Sequence, residues 1–157
     1  MQKITTFLWF DDNAEEAINF YVSIFKNSKI LSVSCYGDGG PGPKGGFFNG
    51  TFQLEGQEFM ALNAGPTFHF TPAISLFVDC RDQAEVDELW RKLGAGGQES
   101  RCGWLTDRFG LSWQIIPSAL GRILNDPDQE GAGRAMQAML KMGRIVVKDL
   151  EAAFARR

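Results

Sequence analysis

Apolar and polar positions along this chain alternate between two spacings, and the change of spacing outlines its elements. The stretch ITTFLWFDD is rich in Thr and aromatic residues and alternates weakly, which predicts a strand. NAEEAINFYVSIF then sets Ala14, Ala17, Ile18, Tyr21, Val22 and Phe25 at helical steps, the mark of an amphipathic helix. Asn13 with Glu16 three places on predicts a capping pair at its start. KILSVSCY predicts another strand. GDGGPGPKGG, Gly37 to Gly46, is loop by composition, and GFFNGTFQLEGQEFMALNA predicts two strands turning at Glu55-Gly56.

The same order then recurs. PAISLFVDC predicts a strand with Pro72 at its mouth. DQAEVDELWRKLG predicts a helix capped by Asp82 and Glu85, apolar at Ala84, Val86, Leu89, Trp90 and Leu93, and stopped by Gly94. GGQESRC, GWLTDRFG and LSWQIIP predict short strands and turns. Asp11 and Asp79 close equivalent strands, and FDDNAEEA answers VDCRDQAEV one residue out of register. Two such units point to duplicated βαβββ modules rather than a solenoid, which needs about three repeats.

From Ser118 the pattern is helical. Asp126 is placed to cap a helix that has Pro127 at its first position, Gln129 three residues after the cap, and an apolar set of Ala132, Ala135, Met136, Met139 and Leu140. VVKDLEAAFARR predicts a last short helix.

Composition narrows the function classes. A chain of 157 residues suits one domain and hides roughly 70% of its unfolded surface on folding. The net charge of −3 argues against nucleic-acid binding, which favours a basic face. No apolar run approaches the roughly 18 residues that span a bilayer, and MQKITTFLWFDD carries no secretory pattern, so a cytoplasmic protein with no membrane partner is expected. Cys35, Cys80 and Cys102 lack metal or redox spacing and read as free thiols. The glycine run opens a strand, not a helix after a Lys-Ser/Thr pair, so it predicts a flap or hairpin loop and not a phosphate cradle. His69, the sole histidine, has no defined neighbour, and Asp11, Asp12 and Asp79 are explained by helix capping, so acid–base catalysis draws little support and no Ser-His-Asp or Cys-His arrangement can be argued.

The segments FLWFDDNAEEAINFYVSIFKNSKI and CGWLTDRFGLSWQIIP resemble the vicinal oxygen chelate superfamily, which includes glyoxalase I, extradiol dioxygenases and bleomycin-resistance proteins. Within it, LWFDDNAEEAINFY, CGWLTDRFG and SWQIIP are similar to the PhnB-like group, often labelled demethylubiquinone methyltransferase-like. The resemblance extends over nearly the whole chain, DPDQEGAGRAMQAMLKM included. It implies an α+β fold in a single domain: paired βαβββ modules at about 1–66 and 72–117, sheets curled around a cleft, a helical tail at about 118–157, and a homodimer.

Metal-using members of that superfamily hold a divalent ion with His, Gln or Glu from four strands. Registered from the strand–helix junctions, those positions fall at Thr6, Ala61, Ala73 and Gln114, and only Gln114 offers a donor, so no metal and no other cofactor is expected. A shift of two residues would bring in Asn63. Gln114 is an amide in an otherwise apolar strand, and burial requires it to find a partner: a small ligand, neighbouring backbone or a second subunit. Alternation around it places Thr6, Leu8, Phe59, Asn63, Ser112 and Gln114 on the cleft face, with Cys102 and Trp104 at the rim. Trp104 is suited to stacking on a planar ligand. Cys102 has only Arg101 adjacent to activate it, and consecutive strand residues face apart. Such a cleft is apolar with a few amides and hydroxyls, as small-molecule pockets are. Three readings follow: metal-independent binding of a small apolar or aromatic molecule, as in bleomycin-resistance-type sequestration; an enzyme of that superfamily, metal-dependent if the register is shifted; or a structural protein whose cleft is filled by its own side chains.

Overall fold

The computed structural model describes residues 2–156, and the chain divides into two compact units at Phe70/Thr71. In the first unit, β1 (Thr6–Phe10) leads into α1 (Ala14–Ile24), followed by β2 (Lys29–Cys35), β3 (Phe47–Leu54) and β4 (Gln57–Asn63). The sheet order is β1-β4-β3-β2, with β1 parallel to β4 and the other pairs antiparallel. Glu55 and Gly56 turn β3 into β4 with both φ angles positive (50° and 81°), the geometry a two-residue hairpin needs to match strand twist.

One face of this sheet is sealed by α1. Ala14, Ala17, Ile18 and Tyr21 are buried against Leu8, Phe52, Phe59 and Ala61, and the Tyr21 and Phe59 rings lie 6.5 and 5.5 Å from that of Phe52. At Gly50 a Cβ would meet Ile18 Cδ1, the Phe47 ring and the Ser32 carbonyl at 3.2 Å, so the helix approaches almost to the backbone. The edge strand β2 is exposed along its whole length, and its pairing with β3 slips at Ile30/Ser32 and again at Ser34/Cys35.

The start of α1 is capped differently from the sequence expectation. Asn13 makes no side-chain cap; Asn63, at the end of β4, accepts from the Ala14 N–H at 2.8 Å and donates to the Phe47 carbonyl. A residue distant in sequence thus does what a local cap would do, and tertiary pairing makes the local one unnecessary. Asn63→Ala is expected to cost about 1 kcal/mol of stability, the usual worth of a cap, measured by urea unfolding; an unchanged midpoint would contradict this role.

The second unit repeats the plan with β5 (Ser75–Cys80), α2 (Gln83–Gly94), β6 (Gln98–Glu99), β7 (Trp104–Thr106) and β8 (Ser112–Pro117), in sheet order β5-β8-β7-β6 with β5 parallel to β8. Here the local cap forms: Asp82 Oδ1 accepts from Glu85 N (3.0 Å), and Glu85 reaches back past the cap residue to accept from Arg81 N (3.2 Å). Val86, Leu89, Trp90 and Leu93 of α2 bury against Leu105, Trp113 and Ile115.

The tail forms α3 (Ser118–Leu124), α4 (Gln129–Met139) and α5 (Val147–Ala155). Asp128, not Asp126, caps α4, accepting from Gly131 N at 3.1 Å, while Asp126 accepts from Asp128 N and so shapes the turn before it. Arg134 ties α4 to the end of α5 by donating to the Ala153 and Phe154 carbonyls, 3.0 and 2.6 Å away. Among the described residues no helix is long and apolar enough to cross a membrane.

Candidate functional site

Each sheet has a face that its helix does not cover, and side-chain alternation decides which residues stand on it. In the second unit Trp113 and Ile115 point toward α2, so Ser112, Gln114 and Ile116 point away. Register places Phe77 of β5 and Trp104 of β7 directly on either side of Gln114. The result is a cross-strand row, Phe77–Gln114–Trp104, on the open face. Phe77, on the edge strand β5, is 60% exposed, a large apolar ring left uncovered. Gln114 Nε2 donates to Ser75 Oγ at 2.9 Å. Its Oε1 accepts nothing from the described residues and remains available to a ligand. Ser75, Ser112 and Thr106 form the next row.

Trp104 owes its position to a strained turn. Cys102 and Gly103 both have positive φ (59° and 83°), and the turn closes with Trp104 N donating to the Arg101 carbonyl. Cys102 is a half-buried turn residue whose N–H donates to the Met142 carbonyl at 2.8 Å, so the tail backs it. Of the residues expected at the cleft, Ser112, Gln114 and Trp104 therefore do share one face, with Cys102 at its end.

The first unit corrects the register. Leu8 and Phe59 are 5% and 6% exposed because they sit beneath α1, Asn63 caps that helix, and Thr6 alternates with Leu8 on the same side. Thr6, Leu8, Phe59 and Asn63 thus belong to the covered face. The open face carries Phe7, half exposed, beside Met60, with Trp9 and Leu62 in the next row. Counting three residues back from each strand end, Phe7 and Met60 correspond to Phe77 and Gln114. The Asp11/Asp79 alignment misses this by two residues, because Asp11 follows the end of β1 whereas Asp79 lies inside β5, one residue before its end. Ala73 lies before β5 begins. Nothing in FLWF signals which side faces the helix, since all four residues are apolar; the recurrence of a Phe three residues before each strand end was the readable clue.

The four corrected positions are Phe7, Met60, Phe77 and Gln114. A hard or borderline divalent ion needs carboxylate oxygens or imidazole nitrogens, and the pair in the first unit offers a thioether while the pair in the second offers one amide oxygen. Among the described residues no group of three or more His, Cys, Asp or Glu is arranged to hold a metal. The superfamily's metal does not fit these side chains. His69 is exposed in the connection after β4.

The glycine loop after β2 folds over Tyr36. That ring stacks on Phe48 (4.8 Å), and its hydroxyl donates to the Asn63 carbonyl at 2.6 Å. Beneath lies a recess of about 610 Å³ with Asp11, Asp12 and Glu15 at its rim, a charge that repels anions and agrees with the reading of the loop as no phosphate cradle.

The family described as 3-demethylubiquinone-9 3-methyltransferase matches residues 2–116. No curated protein matches the chain. A PhnB protein from Bacillus cereus is similar at 44% identity with a TM-score of 0.69, over 74% of this chain and 99% of its own. The protein PA1353 from Pseudomonas aeruginosa shares the fold at 22% identity (TM-score 0.63, 74% of this chain and 98% of that one). So does the fosfomycin resistance protein FosX from Listeria monocytogenes, solved with Mn(II) and sulfate, at 14% identity (TM-score 0.51, 71% and 88%). The family model covers residues 2–116, and the helical tail lies beyond the matched stretch. With two βαβββ units of matching topology and this relationship over most of its length, the chain belongs to the family described as 3-demethylubiquinone-9 3-methyltransferase, to which the PhnB protein is similar.

Proposed function

We propose that this chain acts as a homodimer that binds a small apolar or aromatic molecule on its open sheet faces without a metal, as in bleomycin-resistance-type sequestration. The Phe77–Gln114–Trp104 row carries this reading. Two aromatic side chains flank a single amide acceptor, the mixture of apolar wall and sparse polar contact typical of small-molecule sites. Support for a second subunit comes from the apolar surface left uncovered in each unit, Phe7, Ile30, Leu31 and Val33 in the first and Ile74 and Phe77 in the second. The methyltransferase in the family description is not carried over. Family and fold do not decide chemistry, and β1 runs into α1 through Asp11-Asp12-Asn13 with no glycine-rich turn for a methyl-donor cofactor.

Native mass spectrometry of freshly purified protein tests the reading. The expected spectrum shows dimer mass with a retained organic molecule, and Gln114→Leu, which keeps bulk but removes the acceptor, is expected to weaken retention about tenfold. A stoichiometric divalent ion would turn the reading into that of a metal-dependent enzyme, and a strictly monomeric mass at micromolar concentration would remove the dimer.

A further inference from the structure

We infer that the C-terminal helices limit the length of the ligand on the second sheet, so that the site takes a single-ring aromatic molecule carrying an O–H or N–H donor, such as a phenol. This rests on the reading of the Phe77–Gln114–Trp104 row as a binding site and goes beyond it by naming what fits.

Ile116 stands on the same face as Gln114, one side-chain step further along β8. Where Phe77 is open, Ile116 is 8% exposed, because it is enclosed in a cluster with Leu120, Ile145 and Leu150 of the tail. The wall is tight: a Cβ at Gly103 would lie 2.6 Å from Ile116 Cδ1 and 3.1 Å from Ile145 Cγ1. It is also anchored. Cys102 N and Gly103 N donate to the Met142 and Gly143 carbonyls, both at 2.8 Å. Gln83 of α2 donates to the Ile145 carbonyl (2.9 Å) and accepts from Val147 N (2.8 Å). The tail residues of this wall, Leu120, Met142, Gly143, Ile145, Val147 and Leu150, lie beyond the residues 2–116 that the family model matches.

The dimensions select the ligand. Two residues of strand separate Gln114 from Ile116, about 7 Å, roughly the length of one six-membered ring. Across the strands, Phe77 and Trp104 are two interstrand spacings apart, about 9.6 Å, which admits one aromatic ring between them at ordinary stacking distances. Gln114 Oε1, which accepts from none of the described residues, is the acceptor of the row, while its Nε2 donates to Ser75. A ring with a hydrogen-bond donor satisfies all three constraints, and a substituent opposite the donor longer than about two carbons would run into Ile116.

Calorimetric titration with phenol and the 4-methyl, 4-ethyl, 4-propyl and 4-butyl phenols tests this. While carbons fit, each should tighten binding by about fourfold. For the unaltered protein the gain is expected to end at ethyl, with 4-butylphenol about tenfold weaker than 4-ethylphenol. Ile116→Ala should move the limit out by about two carbons, with phenol itself within about twofold of its original affinity. Ile116→Val, which loses one methylene and keeps the fold if the alanine variant does not, should move it by about one. If no phenol binds the unaltered protein, the row is not a binding site and the inference falls with it. If phenols bind with no chain-length limit, or with the same limit in the folded variants, the wall is wrong and the binding reading stands.

Discussion

Asp107→Ala is expected to lower the unfolding free energy by about 3–5 kcal/mol. Asp107 is 2% exposed although it is a carboxylate in a turn. Its Oδ1 accepts from Phe109 N (2.8 Å) and Leu111 N (3.1 Å), and its Oδ2 from the Trp113 indole N–H (2.8 Å). Backbone bonds from Asp107 N to the Leu111 carbonyl and from Gly110 N to the Asp107 carbonyl close the same turn. Alanine would leave the Trp113 N–H and the Leu111 N–H without this acceptor in a dry interior, at about 1–3 kcal/mol each, and would loosen the turn that sets the β7–β8 register. Asp107→Asn keeps one oxygen but turns an NH₂ toward a donor, so about half the loss is expected. Urea unfolding followed by tryptophan fluorescence measures both. A loss below about 1 kcal/mol for alanine would show that the turn is held by its backbone alone.

The second large effect depends on pH. Cys80 is fully buried at the end of β5. Burial first, then the charges of Glu85 and Asp79, push its thiol up to about 12 from an ordinary value of 9.0. Between those values the unfolded chain releases a proton that the folded chain retains, so stability falls as pH rises. The contribution is complete below about 9 and drains away toward 12 at about 1.4 kcal/mol per pH unit, or about 2 kcal/mol by pH 10.5. Cys80→Ala removes this dependence while leaving other titrating groups in place. The difference between the two stability–pH curves is therefore expected to narrow by that amount from pH 9 to 10.5. Parallel curves would mean that the thiol ionises alike in both states.

The element plan was legible because period and turn chemistry are local signals: the α2 cap at Asp82–Glu85 and the Glu55-Gly56 hairpin stand where the residues require. So were Gln114, Ser112 and Trp104 as neighbours on one face, because WQII alternates around an aromatic residue that had to be buried. What was not legible depended on distant partners. The cap of α1 comes from Asn63, forty-nine residues on, and no local pattern announces it. The open side of β1 was hidden because four consecutive apolar residues carry no parity. Asp126 and Asp128 are both acids beside Pro127, and only the folded turn shows that Asp128 is the cap.

The slipped pairing of β2 has a consequence for how this protein meets others. A straight strand arriving along that flank would need evenly aligned amide and carbonyl groups, and two breaks in seven residues throw them out of step. The oily side chains of Ile30, Leu31 and Val33 can thus stay in contact with water without templating a growing fibre. A partner has to come down onto the sheet from above, not zip onto its border.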